Sequence, residues 1–216
     1  MSDPILFGLS RSVYTRIARL ALEEKGVRYA FEEVEIFGSA GVPAEHLARQ
    51  PFGRIPAFAH DGFMLYETGA ITRYVDEAFA GTCLQPQQPQ ARARMNQVIG
   101  IVDSYAYRPM IWGVFAARIV APAEGIAPNE QLIAASLAKS HTCCRALDEI
   151  LGSNRYFAGD DLTLADLHAL PILLYFSMAE QGHDTLSAHP RLRAWLDATA
   201  ARPSVQRTKG KFELAR

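Results

Sequence analysis

Short apolar runs alternate with longer helical periodicity as far as Phe79, and beyond Gly81 only the helical periodicity continues. Ile5–Gly8 is an apolar run of strand length. After a turn at Leu9, Ser10, Arg11 and Ser12, the spacing of Ile17, Leu20, Ala21 and Glu24 predicts a helix that stops at Gly26. Gly26 suits the left-handed residue that closes a helix, and Lys25 stands well against the negative end of the dipole. Residues 29–36 return to strand character, with acidic residues blurring the alternation. Strand, helix and strand at this spacing call for a parallel pair with a right-handed crossover. An irregular stretch, 38–43, precedes a turn or two of helix at 44–49, which must end before Pro51. Residues 57–59 and 63–66 then flank an Asp61-Gly62 turn as a hairpin, and Glu67 and Thr68 open a helix through Ile71, Tyr74, Val75 and Phe79.

This order, β-α-β, loop, β-β-α, predicts a thioredoxin-like half that lacks the Cys-x-x-Cys redox pair. We place that domain at 1–82, a proline- and glutamine-rich linker at 83–90 and an all-helical domain at 91–216. In the helical part a long stretch from Ala91 to Ile119 presents Met95, Val98, Ile99, Val102 and Ala106 on one face, with Pro109 expected to bend or interrupt it. Asn129 is a candidate cap for a second long helix to Leu151. Thr163 and Asp166 have capping-box spacing, and Leu162 and Leu167 fit the hydrophobic staple around it. The helix they start is apolar to Phe176 and should lie at the centre of its domain. A last amphipathic helix spans 190–200, followed by a basic tail with Lys209, Lys211 and Arg216.

The chain has 216 residues, 49% of them hydrophobic and 21% charged, with a net charge of -1. That size allows a sizeable core, and the charge gives no argument for a nucleic-acid or anionic-membrane partner. There is no signal-peptide pattern and no uncharged apolar run of about 18 residues. The expectation is a soluble cytoplasmic protein. Cys83, Cys143 and Cys144 match neither a disulfide framework nor a zinc spacing, and the scattered histidines suggest no metal site. Cys143 and Cys144, adjacent in mid-helix, are expected to be buried rather than reactive.

Candidate chemistry gathers between Gln50 and Thr68. Pro56 heads a strand, where a residue without an N–H belongs, and the Ile55-Pro56 bond is a candidate cis bond. The main-chain groups of Ile55 would then be free to pair with an extended peptide-like ligand. The helix start at Glu67 and Thr68 offers unpaired N–H groups and a hydroxyl to an anion. Together they describe a slot for a small peptide.

The chain resembles the soluble glutathione transferases, most closely the phi-type, serine-type branch first described in plants and also found among bacteria. The resemblance rests on Ser12 with Thr15-Arg16, on Leu22-Glu23-Glu24-Lys25-Gly26, and on Glu45-His46-Leu47-Ala48-Arg49-Gln50-Pro51-Phe52-Gly53-Arg54-Ile55-Pro56-Ala57. Glu67-Thr68-Gly69-Ala70-Ile71 with Arg73-Tyr74, Thr163-Leu164-Ala165-Asp166-Leu167-His168 with Pro171, and Arg202-Pro203-Ser204-Val205 extend it over almost the whole chain. It implies a thioredoxin-like glutathione domain, an all-helical second domain, a homodimer, and glutathione as co-substrate with no metal. Ile55, before cis-Pro56, would pair with the cysteinyl backbone of glutathione, and Glu67 and Thr68 would hold its γ-glutamyl end.

Ser12 matches the family's catalytic serine, whose hydroxyl donates to the glutathione thiolate; as a bare residue it also reads as a helix N-cap. Ser10 is the rival within the same turn. Phe7, without a hydroxyl, stands near the place of the tyrosine used by other branches. The family's basic pair for the glycyl carboxylate is replaced by Gly41-Val42, with Arg11, Arg49 or His46 as candidate substitutes; Gln50 replaces the usual Asn, and Gly69 an arginine. The implied activity is conjugation of glutathione to hydrophobic electrophiles, with Leu9, Met110, Trp112, Phe115 and Ile119 as candidate lining of the second-substrate site. Peroxide reduction by the same thiolate, and a non-catalytic glutathione- or hydrophobe-binding or scaffold protein, are the alternatives.

Overall fold

The computed structural model describes residues 2–214. The chain divides into two compact units, Met1–Leu84 with Pro203–Arg216, and Gln85–Arg202. In the first unit, strand β1 (Ile5–Gly8) is buried along most of its length and leads by a turn into helix α1 (Val13–Lys25). Ile17, Leu20 and Ala21 give α1 its fully buried face, and Gly26 closes it at φ 68 with its N–H turned back on the Glu23 and Leu22 carbonyls. Strand β2 (Ala30–Glu33) pairs parallel with β1, as the crossover predicts, over a shorter span than 29–36. Helix α2 (Ala44–Arg49) follows, then β3 (Ala57–His60) and β4 (Phe63–Tyr66), joined through Asp61 at φ 47 and Gly62 at φ 82. Positive φ at both turn residues is the geometry a two-residue hairpin needs. The sheet runs β2-β1-β3-β4, and helix α3 (Thr68–Ala78) packs with α1.

A buried ion pair fastens the ends of these helices. Lys25 Nζ reaches the Asp76 carbonyl at 2.9 Å and its carboxylate at 3.1 Å, and that carboxylate also accepts the Leu84 N–H at 2.8 Å. Meeting both charges with hydrogen bonds offsets the cost of burying them.

The second unit is helical throughout. Helix α4 (Pro89–Ile101) starts with proline at its first turn and the Gln88 side chain capping the Ala91 N–H at 2.7 Å. The helical path continues in wide turns over Val102–Ala106 and Arg108–Val120, where Tyr107 N–H reaches the Val102 carbonyl five residues back. Pro109, expected to bend or interrupt the helix, lies within these wide turns, through which the helical path runs on. Wider turns move the carbonyl that its ring would strike in an α-helix. A short α5 (Ala121–Ala123) ends this arm, and α6 (Glu130–Leu151) begins at Asn129, whose side chain accepts the Leu132 N–H at 2.9 Å. Gly113 lets the wide-turn stretch approach α6 closely, since a Cβ there would run into the Ser136 hydroxyl. Helix α7 (Leu164–Phe176) is buried nearly all round, as its apolar composition predicts. Helix α8 (Glu180–Ser187) has no counterpart in the sequence reading, whereas α9 (Pro190–Ala200) does. Asp148 of α6 accepts from Arg191 at 2.7 Å and from the Leu192 N–H at 2.9 Å, tying it to the start of α9.

The end of the chain departs from the expected helical domain over 91–216, because the part from Pro203 onward groups with the first unit. Its helix α10 (Pro203–Arg207) buries Ser204 and Val205, and the Ser204 hydroxyl bonds the Glu24 carboxylate on α1. The Arg16 guanidinium, wholly buried in α1, donates to the Val205 carbonyl at 3.3 Å and pairs with Glu213 of α11 (Lys211–Leu214). A buried cation needs such a partner, and this one recruits the tail. Of the expected basic tail, Arg216 and the Lys211 side chain lie outside the described residues.

Candidate functional site

Strand register brings the candidate residues of the first unit to one end of the sheet. Phe7 opposes Ala57 in the antiparallel β1–β3 pair, and Ala57 opposes Tyr66 in β3–β4. The exit of β1, the entry of β3 and the exit of β4 therefore lie side by side. Ser12 follows the first, Ile55 and Pro56 precede the second, and Glu67 and Thr68 follow the third.

Ser12 caps α1. Its hydroxyl oxygen accepts the Thr15 N–H at 3.4 Å, and its own N–H donates to the Leu9 carbonyl at 2.9 Å. Among the described residues no acceptor takes the hydroxyl hydrogen, and the Val13 N–H beside it has no partner. A thiol sulfur placed there would meet a donor hydroxyl at the positive end of a helix, the setting that lowers a thiol pKa from about 8.5 toward roughly 3.5–7.5. Ser10 instead commits its N–H to the Glu33 carboxylate, at 3.2 Å to each oxygen. Leu9 is buried, with its N–H on the Thr15 hydroxyl at 3.3 Å.

The Ile55-Pro56 bond is cis, as the sequence suggested. Among the described residues the Ile55 N–H and carbonyl have no hydrogen-bond partner. The neighbouring Arg54 was not singled out in the sequence, yet its guanidinium is exposed and uncommitted among the described residues. Glu67 sits at φ 71 and ψ 114, a left-handed position that costs a non-glycine residue about 1–3 kcal/mol. Its carbonyl accepts from Ala70 and Ile71 at 2.9 Å, while the Thr68 and Gly69 N–H groups and the Thr68 hydroxyl stay open among the described residues. An exposed carboxylate next to open helix donors can take an ammonium and a carboxylate from one ligand.

The candidate substitutes for a basic pair at Gly41-Val42 are engaged elsewhere. Arg11 pairs with Glu35 at 2.9 Å, and Arg49 lies over the Phe7 ring with its guanidinium carbon 4.2 Å from the centroid. His46 is fully buried, its Nε2 at 2.7 Å from the Arg54 carbonyl. Of the residues proposed to line a second-substrate site, Met110 and Phe115 are buried, and Phe115 stacks on Tyr175 with centroids 5.0 Å apart. Trp112 is about half exposed at 48% and Ile119 is half-buried.

Asp166 is a different kind of polar centre. Its Oδ2 accepts the Thr163 N–H and hydroxyl at 2.9 Å, completing the expected capping box, and its Oδ1 accepts the Phe157 N–H at 3.1 Å and Trp195 Nε1–H at 3.0 Å. Burial pushes this carboxyl up to about 6, against the pull of those four donors. Burial also raises both Cys143 and Cys144, the latter to about 12, which leaves them poor nucleophiles. Among the described residues no cluster of three or more His, Cys, Asp or Glu side chains could hold a metal ion, and no helix is long and apolar enough to cross a membrane.

A thioredoxin-like unit followed by an all-helical unit is the architecture of the glutathione S-transferases. The model of the glutathione S-transferase N-terminal domain matches residues 6–83 and that of the C-terminal domain residues 130–198. Glutathione S-transferase 3 of Zea mays is 32% identical over 97% of this chain and 94% of its own. Glutathione S-transferase F13 of Arabidopsis thaliana is 30% identical over 92% and 91%. The crystal structure of glutathione transferase F7 from Populus trichocarpa superposes with a TM-score of 0.84, at 28% identity, covering 95% of this chain and 97% of that one. The chain belongs to the glutathione S-transferase family, in its phi-type branch.

Proposed function

We propose that this protein joins the thiolate of reduced glutathione to hydrophobic electrophiles, with Ser12 as the residue that keeps the sulfur ionised. The observation that carries the reading is the hydroxyl of Ser12, fixed by the Thr15 N–H and with its hydrogen uncommitted among the described residues. In this reading the cysteinyl main chain lies along Ile55, ahead of Pro56. Glu67 takes the γ-glutamyl ammonium, and Thr68 with the Gly69 N–H takes its carboxylate. The thiolate attacks the electrophilic carbon, the leaving group departs with the electron pair, and the thiol proton passes to solvent. Each unit of lowered thiol pKa is about 1.4 kcal/mol in favour of the ion.

Trp112 and Ile119, which keep exposed surface, support an apolar second-substrate role better than Met110 or Phe115. The reading includes a cytoplasmic homodimer, supported by the exposed apolar side chains of Phe52, Phe63 and Met64; sedimentation of the purified protein tests the assembly. The test of function is glutathione addition to an activated aryl halide, followed with and without Ser12→Ala. Loss of most of the rate is expected, and an unchanged rate excludes the role. The uncharged Gly41-Val42 loop favours a second reading, a glutathione carrier without turnover, which calorimetry distinguishes by binding in the absence of catalysis.

A further inference from the structure

Beneath the open Ile55 main chain lie two buried side chains that the proposed chemistry does not use. His46 is 0% and Gln50 1% exposed. They stand four residues apart at the end of α2 and converge on one residue. Gln50 Oε1 accepts the Arg54 N–H at 3.0 Å, and His46 Nε2 lies 2.7 Å from the Arg54 carbonyl. A carbonyl only accepts, so Nε2 carries the hydrogen. The turn between them is closed by Gly53 N–H on the Gln50 carbonyl at 3.1 Å, and the Gln50 N–H returns to His46 at 2.8 Å. The Arg54–Ile55 peptide is planar and trans, so its N–H points opposite to its C=O. Holding the Arg54 carbonyl down toward His46 turns the Ile55 N–H out.

We propose that His46 and Gln50 are positioning residues that aim the Ile55 N–H at the peptide main chain of glutathione. The inference rests on the proposed glutathione site and adds which residues set its geometry. It also gives the glutamine a use: the Gln50 side chain spans to an N–H four residues on. Because the two bonds hold the peptides on either side of one residue, Arg54, losing either loosens the orientation of the same Ile55 N–H, and the double variant should weaken binding by less than the product of the two.

The test is calorimetric affinity for glutathione in Gln50→Leu and His46→Leu, with Gln50→Glu keeping the acceptor and His46→Gln keeping a donor. Loss of one such hydrogen bond corresponds to about tenfold weaker binding. The KM for glutathione should rise by the same factor, while kcat at saturating glutathione and the KM for the electrophile stay within about twofold, and the conservative variants recover most of the loss. Folded leucine variants with unchanged affinity overturn the proposal. Should they fail to fold, the wild-type amide spectrum decides: the Ile55 signal must move on adding glutathione. Binding with an unmoved Ile55 amide overturns this inference alone, whereas no glutathione binding by the wild-type protein overturns the proposed function and this inference with it.

Discussion

Ser12 and Thr163 occupy the same place at the starts of α1 and α7, and a sequence window around either shows a hydroxyl residue ahead of a helix. Their surroundings differ. At Thr163 the hydroxyl and N–H both go to Asp166, whose remaining oxygen is taken by Phe157 and Trp195, so every group aimed at the buried centre is matched. At Ser12 the hydroxyl accepts one bond and offers its hydrogen outward, and at the start of α3 the Thr68 and Gly69 donors are likewise open. The closed start stabilises a core, whereas the open ones are available to a ligand. Hydrogen-bond satisfaction, more than residue type, separates a cap from a site.

The sharpest way to break this contrast is to remove the closed centre. Asp166→Ala leaves the Phe157 N–H and the Trp195 indole buried without acceptors, and should cost about 3–5 kcal/mol in urea unfolding. Activity per folded molecule should stay within about twofold. A loss of activity with unchanged stability would reverse the assignment.

The charge state of the same carboxyl gives a second test. Its folded pKa, about 6, lies above the ordinary 3.8. Stability from this group is therefore complete below about pH 4 and is lost as pH rises through 6. Compared with Asp166→Asn, the wild-type margin should shrink by about 3 kcal/mol between those limits, read from unfolding free energies at each pH. Asp148 behaves in the opposite sense. Burial alone would raise it, but Arg191 and the Leu192 N–H outweigh burial and hold it low, so its contribution is lost only as pH falls through its depressed value.

At the open start, Ser12→Ala should lower the conjugation rate about a hundredfold, the typical loss of one donor to a developing or held anion. Its effect on stability should be only that of a cap, about 0.5–2 kcal/mol. The smallest effect belongs to Glu67→Gly. Relief of the φ 71 backbone, less the added flexibility of glycine, should raise stability by about 1 kcal/mol while glutathione affinity falls. A gain in both would show that Glu67 is strained to no purpose.

Features set by a few neighbouring residues were legible in the sequence. Gly26, the Asp61-Gly62 turn, the Asn129 cap and the Thr163–Asp166 box each follow from local backbone requirements. Ile55, Pro56, Glu67 and Thr68 were singled out from the proline at the strand start and the helix start after the hairpin, and Ser12 from the family resemblance; the strand register gathers all five at one sheet end. The rest depended on distant contacts. Nothing near Arg16 announces Glu213, 197 positions away, and so the return of 203–214 to the first unit was missed. Helix α8 offers too few buried apolar positions, chiefly Leu186, to show a period. The wide turns after Ile101 change the hydrogen-bond ladder without changing residue type. For Met110 and Phe115 an apolar pattern says only that a side chain avoids water, and the interior claims both.

The proposed conjugation depends on the state of one sulfur atom. Titrating the ultraviolet absorbance of glutathione thiolate on the wild-type protein and on Ser12→Ala measures it directly. Bound glutathione is expected to ionise within roughly pH 3.5–7.5 on the wild type and to return toward about 8.5 on the variant. The same thiol pKa on both proteins would contradict it.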